Sequence, residues 1–355
     1  MDFLKHLKSF MDDKEAETLY NSLNNNEIHC LRLNELKVSD FNKICKESRG
    51  ITNHPHLNNA FIYDKSINEF GKSILFDAGA YYIQEPAAMM AEYLLDLKEE
   101  DYVLDMCAAP GGKSFDALVS KKGRGLLVCN DIHEIRSKIL SSNIEKYGFS
   151  NCIVLNDDSS KYKKHFQGFF DKIILDAPCS GSAMFRKNEE ARNQWSIEKV
   201  YQCKEIQKSL LEDAYSMLKE NGLLLYSTCS FSIQENEEVI IEFINQHKDI
   251  EIVNIDLNKV YNDTITISGG LRLYPYKFNG EGQTIFILKK NGFTEKSRAK
   301  EIKPTRAPSE LIKFLNNIKL EYDKNDIIMF KNKYYLAPFT KIELNGIKIN
   351  SFWFA

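Results

Sequence analysis

From about residue 100 the chain alternates short apolar runs with amphipathic stretches, and this alternation limits the fold more than any other feature. DYVLDMC (101–107), GRGLLVCND (123–131), CIVLND (152–157), KIILDAP (172–178) and LLLYSTC (223–229) read as buried strands. SFDALVS (114–120), IHEIRSKILSSNIEKYG (132–148, closed by Gly148) and residues 199–219 read as helices between them. The third helix is amphipathic on Ile206, Leu210, Ala214 and Leu218 and should end at Asn221-Gly222. Ser232 and Glu235 have capping-box spacing ahead of a helix over 233–246. Strands alternating with helices in this way predict an α/β fold with a parallel, doubly wound sheet. In such sheets ligands sit beyond the carboxyl ends of the strands.

The flanks are less regular. Residues 1–70 read as a small, mostly helical, Asn- and Lys-rich module, although LRLNELKV (31–38) alternates Leu31, Leu33 and Leu36 as a strand would. A helix should open near Gln84-Glu85-Pro86, with proline in its first turn. The basic stretch KKNGFTEKSRAKEIKPTRAP (289–308) reads as a linker, and 309–355 as a helix-like start followed by strand-like pieces, short for an independent domain. No run of 18 apolar residues spans a membrane, and the start MDFLKHLKSFMDD turns acidic before a signal-peptide core forms. Eight cysteines are scattered without CxxC or Cys/His clusters, which argues against a disulfide framework and a metal site and for a reducing cytoplasm. With a net charge of −3, any nucleic acid must be met by a local patch.

Asp105-Met106-Cys107-Ala108-Ala109-Pro110-Gly111-Gly112-Lys113-Ser114 joins the first of these strands to its helix, and its glycines let a ligand approach the backbone. A phosphate-binding P-loop needs GxxxxGK[ST], but position 107 is Cys, and the dinucleotide GxGxxG is also absent. The remaining candidate for such a sheet is S-adenosylmethionine, which has no phosphate to cradle. Asp131 ends the second strand, where an acid can hydrogen-bond ribose hydroxyls. Asp158 follows the third strand, where it could meet the adenine amino group, and Asp176 ends the fourth. A single strand-end acid is as readily a helix cap; Asp105, Asp131, Asp158 and Asp176 after four consecutive strands make a joint signal.

Cys179 and Cys229 also lie where parallel strands deliver residues to the ligand edge, whereas Cys30, Cys45, Cys129, Cys152 and Cys203 read as small buried hydrophobes and Cys107 as packing beneath the cofactor. Two thiols beside a methyl donor point to a definite chemistry. Cytosine C5 is a poor nucleophile until a thiolate adds to C6 and makes C5 enamine-like. Asp176 could hydrogen-bond N3 and offset the charge on the ring, and a helix start after Cys229 would lower its pKa.

QEPAAMM (84–90), VLDMCAAPGGKS (103–114), NDIHEIR (130–136), LDAPCSG (175–181) with FRKN (185–188), YSTCSFSIQENEEVI (226–240) and RLYPYKFNGEGQTIF (272–286) together resemble the Sun-type family of RNA 5-methylcytosine methyltransferases, most like the bacterial ribosomal-RNA branch called RsmF. The resemblance implies a Rossmann-like catalytic domain over 76–290 and an RNA-binding-like module over 1–75, with the basic linker then falling over 291–308 and a short RNA-binding-like segment over 309–355. It implies that Cys229 is the nucleophile on C6, that Cys179 assists release, and that Asp176 is the acid beside the ring. It further implies that Cys107, Ala108, Ala109, Pro110, Gly111, Gly112, Lys113, Asp131, Asp158 and Asp176 contact S-adenosylmethionine. Tyr276 and Gln283 stand where RsmF-like enzymes usually carry histidines. Arg186, Lys187 and Arg192, interleaved with Phe185 and Trp195, suit phosphate contacts and base stacking, or a solvated loop with a packed Trp. The expected substrate is ribosomal RNA, with tRNA as the alternative within the same chemistry. A non-catalytic RNA-binding assembly factor is the rival from another class, and the intact cysteine pair speaks against it.

Overall fold

In the strands of the second half, adjacent apolar residues part to opposite faces. Val103, Leu127, Val154, Ile174 and Leu225 enter one core, while Leu104, Val128, Ile153, Ile173 and Leu224 enter the other. A sheet buried on both faces needs continuous apolar runs, which is why these segments carry no polar alternation. The computed structural model describes residues 2–45, 49–255, 264–265, 269–295, 304–320, 322–330, 332–336, 344 and 346–353.

The chain opens with α1 (Phe3–Leu7) and α2 (Asp13–Ser22), capped by Asp2 and Asp12. Strands β1 (His29–Leu33), β2 (Ile51–Asn53), β3 (Ala60–Tyr63) and, after the short α3 (Ile74–Asp77), β4 (Tyr81–Gln84) pair antiparallel in the order β2-β3-β1-β4. The expectation of a mostly helical module is therefore corrected. Its strands are only three to five residues long, too short to show a period. Because β4 pairs with β1, this unit continues to Gln84, past the expected boundary at 75/76.

Next come α4 (Pro86–Leu95, capped by Glu85), β5 (Tyr102–Asp105), α5 (Gly112–Lys121), β6 (Leu126–Asn130), α6 (Glu134–Tyr147, closed by Gly148) and β7 (Cys152–Leu155). After these lie α7 (Ser159–Tyr162), β8 (Phe170–Asp176), α8 (Glu189–Asn193), α9 (Ile197–Met217), β9 (Leu218–Thr228) and α10 (Glu237–Gln246). Short strands β10 (Ile250–Ile252), β11 (Thr264–Ile265) and β12 (Leu271–Leu273) lead to β13 (Gln283–Lys290). The sheet runs β11-β12-β13-β9-β8-β5-β6-β7, parallel from β9 to β7, and β13 is antiparallel to β9. Helices α4, α5 and α6 cover one face, and α7, α9 and α10 the other. The strand order reverses between β5 and β8, so a crevice opens at their carboxyl ends.

Leu218 starts β9 instead of ending α9, and the pairing register jumps from Phe170↔Leu218 to Lys172↔Leu223 across a turn at Asn221 (φ 61°). The basic stretch is not all linker: Lys289 and Lys290 lie in β13, and the buried Lys290 donates to the Tyr215 and Leu218 carbonyls. Residues 296–303 of that stretch lie outside the described residues. In the tail, α11 (Ser309–Asn317) and a hairpin of β14 (Ile327–Phe330) and β15 (Lys333–Leu336) precede β16 (Ile349–Trp353). β16 pairs antiparallel with β7, so the end of the expected separate segment extends the central sheet. Among the described residues no helix is long and apolar enough to cross a membrane.

Candidate active site

The carboxyl ends of β5, β8 and β9 place three groups together. Asp176, the last residue of β8, accepts hydrogen bonds from Ser227 Oγ (2.7 Å) and Gln283 Nε2 (3.0 Å), and its other oxygen lies 2.8 Å from Lys113 Nζ. All three partners are donors, so Asp176 is held as an acceptor. Burial alone would lower the Lys113 pKa, but the Asp176 and Asp105 carboxylates outweigh it and hold the ammonium above its ordinary range. Gln283, one of the two positions where a histidine was expected, thus supports Asp176; the other, Tyr276, donates to Glu15 (2.6 Å) and stacks on Tyr274.

Cys179 and Cys229 follow β8 and β9 with their Sγ atoms 3.1 Å apart. Two thiols this close do not share easily a second negative charge, and the hydrogen bond to Cys229 together with burial pushes the Cys179 pKa up. The expected helix start after Cys229 is absent: a short turn at Ile233–Glu235 intervenes and α10 begins only at Glu237. Lys113, paired with Asp176, and Cys229 both face this carboxyl-end cluster.

The glycine loop shapes the cofactor side. Gly111 caps α5 at φ 115°, a conformation that disfavours a side chain, and a Cβ on Gly112 would stand 3.1 Å from the Gln84 amide. Asp105 is buried beneath the loop. It accepts from Ser114 Oγ (2.6 Å), its other oxygen has no hydrogen-bond partner, and burial pushes its pKa up to about 7. Asp131 is buried just past β6, accepting from the His133 amide (2.9 Å) with Arg136 3.4 Å away. Asp158 caps α7 through the Ser160 amide (2.9 Å), the role a lone strand-end acid most often has, and still lines the cleft.

A cavity of about 710 Å³ runs from Asp131 and Asp158 past Cys107, Ala109 and Asp176 to Cys179 and Cys229. A second, of about 310 Å³, reaches Cys107, Ala108, Pro110, Gly112, Lys113 and Asp176 from the side of Gln84 and Lys187. Ile206, expected in the core, instead lines the larger cavity and is half exposed, whereas Leu210 packs against the core as expected and also lines that cavity. The buried face of α9 is Val200, Cys203, Gln207, Leu211 and Ala214. Apolar residues that await a ligand look the same in sequence as those that await a core.

Two further expectations change. Phe185 and Trp195 are buried in an aromatic cluster with Phe3, ring centroids 5.0 and 4.9 Å away. Arg186 donates to the Ser22 and Gly280 carbonyls, and Arg192 to Leu23 and Asn24, so these cations tie the loop to the end of α2. Lys187 lines the smaller of the two cavities above, whereas Arg192 lines a separate one beside Phe3, Tyr20 and Trp195. Cys30, Cys129, Cys152 and Cys203 are buried as expected, Cys45 only partly so, and Cys107 is half-buried between the two cavities.

Glu235 was missed as a site residue. Ser232 caps nothing through its side chain, so the capping-box pattern is not realised. Instead the fully buried Glu235 accepts from the Ser180 amide (2.7 Å), Ser180 Oγ (2.5 Å) and Ser230 Oγ (2.5 Å). Burial raises its pKa and the Ser180 and Ser230 donors oppose that rise.

The sheet order, the glycine loop at the first carboxyl end and the cleft beyond it define a Rossmann-like methyltransferase. The family described as 16S rRNA methyltransferase RsmB/F matches residues 92–289, and the N-terminal domain of 16S rRNA methyltransferase RsmF matches residues 1–86. The chain belongs to the 16S rRNA methyltransferase RsmB/F family. Curated relatives include the ribosomal RNA small subunit methyltransferase F of Vibrio parahaemolyticus, 33% identical over 322 residues that cover 85% of this chain and 67% of the relative. That of Aliivibrio fischeri is 35% identical over 229 residues, covering 63% and 48%. The chain thus spans about half to two thirds of the length of these relatives. Among solved structures, a methyltransferase homologue from Pyrococcus horikoshii has a TM-score of 0.67 at 26% identity, covering 81% of this chain and 98% of that one. NSun6 from the same organism, solved with SFG, shares the fold at a TM-score of 0.71 and 19% identity, covering 82% and 98%.

Proposed function

We propose that this protein is an S-adenosylmethionine-dependent methyltransferase that forms 5-methylcytosine in small-subunit ribosomal RNA through a covalent bond between Cys229 and C6. The observation that carries this is the thiol pair, 3.1 Å apart, beside an Asp176–Lys113 ion pair at the strand-order reversal. The family and its named relatives support the RNA class. The residues present fit the cofactor. The larger cavity lies within the range of small-molecule sites, the backbone is bare at Gly111 and Gly112, and Asp105 keeps a buried oxygen without a partner. Cys107 to Lys113, Asp131, Asp158 and Asp176 would hold it. When bound, it supplies the electrophilic methyl group.

The chain's own residues do the rest. The Cys229 thiolate adds to C6, and the electron pair of the C5–C6 double bond shifts toward C5, where the methyl group is received. Asp176 stands at the N3 edge of the ring and holds the Lys113 ammonium beside it, and that ammonium offsets the negative charge that builds on the ring. A base then takes the C5 proton, the C–H electron pair restores the double bond, and the Cys229–C6 bond breaks with its electrons returning to the Cys229 sulfur; Cys179, 3.1 Å from that sulfur, assists this release. A cytosine in a helix must first be flipped out. Free thiols throughout suit a reducing compartment, and we place the reaction in the cytoplasm.

The test is methyl transfer from labelled cofactor to 16S rRNA and to small subunits, with the product base read by bisulfite sequencing. One protected cytosine is expected, and Cys229→Ala should abolish the transfer while cofactor binding persists. Label found only in tRNA would move the substrate, and label on another base would overturn the chemistry.

A further inference from the structure

We propose that Glu235 is a positioning residue whose carboxylate clamps the two thiol-bearing loops together. This rests on the reading of Cys229 and Cys179 given above. The ladder between β8 and β9 ends at Asp176↔Ser227; beyond it the Ala177 amide donates to the Ser227 carbonyl (2.8 Å), and further along the loops the Ala183 amide donates to the Cys229 carbonyl (2.9 Å) and the Phe231 amide to Ser182 Oγ (2.9 Å). These bonds leave the loop segment at Cys179 itself without a backbone bond to the other loop, yet each cysteine is followed by a serine, and both serines point to one carboxylate.

Glu235 accepts from the amide and hydroxyl of Ser180 and from the hydroxyl of Ser230, and the two hydroxyls lie 3.2 Å apart. Gln207 reaches it at 3.4 Å while donating to the Pro178 carbonyl (2.9 Å), so the loop is gripped on both sides of Cys179. The clamp is itself anchored, because the Tyr226 hydroxyl donates to the Glu235 carbonyl (2.5 Å). A carboxylate with no exposed surface is costly unless its lone pairs are satisfied, and here donors from both loops satisfy them. Charge-assisted bonds of this kind are the strong ones.

The reach of the side chain makes the clamp testable without RNA. In the full-length protein, diamide oxidises Cys179 and Cys229 to a disulfide, taking up both thiol protons and two electrons, and peptide mapping by mass spectrometry follows its rate. A disulfide forms only at short, well-directed separations, so this rate reads the distance between the thiols. Glu235→Ala should slow the cross-link about tenfold or more, and Glu235→Asp, which keeps the charge but is one methylene short, should do the same. Glu235→Gln, which keeps the length and an acceptor oxygen, should stay within about threefold of wild type. At saturating RNA and cofactor, kcat should fall about 100-fold in the Asp variant, with the cofactor Kd nearly unchanged. Cross-linking and turnover at wild-type rates in the Asp variant would overturn the clamp, even if the Ala variant fails to fold. The chemistry is tested apart from it, since methyl transfer retained by Cys229→Ala would sink that reading whatever the cross-link shows.

Discussion

Replacing Arg32 with Met should destabilise the protein by about 3–5 kcal/mol near pH 8, and by less near pH 6. Arg32, on β1, places Nη1 3.0 Å from Glu92 of α4 and 3.0 Å from Asp116 of α5, with side chains only 5%, 5% and 0% exposed. At an effective dielectric of about 20, unit charges 3 Å apart attract by roughly 5–6 kcal/mol. Desolvation of three charges consumes most of that, but removing one partner strands the others. Burial already pushes Asp116 up to about 7, and Arg32 opposes the rise. Without Arg32 the pKa climbs further, so above about pH 7 the variant holds a proton that wild type has released. A raised carboxyl contributes stability that is lost as pH rises, and the variant therefore falls behind wild type by up to about 1.4 kcal/mol per pH unit in that window. Below it Asp116 is protonated in both proteins, and the gap levels at the loss of packing and of the Glu92 pair. Urea denaturation of both proteins at pH 6 and pH 8 measures this directly. A loss under about 1 kcal/mol that ignores pH would refute the idea that a charge triad joins the N-terminal sheet to the helix carrying the glycine loop.

Asp105 offers a second pH signature. Its pKa is raised from 3.8 to about 7 by burial, so its favourable contribution is complete below about pH 4 and lost as pH rises through about 7. Wild type should lose up to about 4 kcal/mol over that span relative to Asp105→Asn, seen as diverging Tm values, and parallel Tm curves would contradict it. Ile206→Asn should leave stability within about 0.5 kcal/mol because the residue is half exposed. Removing its apolar face from the cleft should raise the cofactor KM about fivefold, the equivalent of roughly 1 kcal/mol of burial, and an unchanged KM would show that the ligand does not touch it.

The strands of the catalytic half and the acids at their ends were legible because buried parallel strands must be apolar runs and the fold sends their carboxyl ends to the ligand. The same logic singled out Cys179 and Cys229, which the structure brings to 3.1 Å. What the sequence hid was set by tertiary contact. Glu235 sits at a spacing that signals a helix cap, yet its side chain turns inward to serines 55 and five positions away. Ile206 shares a helical period with Leu210, which packs against the core, and that period says nothing about whether core or cleft lies opposite Ile206. Lys113 belongs to the glycine loop in sequence but pairs with Asp176, from the neighbouring strand.

The measurement closest to the central claim is a denaturing gel of Cys179→Ala incubated with 16S rRNA and cofactor. A protein–RNA band that survives denaturation is expected, because addition at C6 proceeds while release is impaired, and the band should vanish when Cys229→Ala is combined with it. A band that persists without Cys229, or methyl transfer by Cys229→Ala at the wild-type rate, would contradict the account.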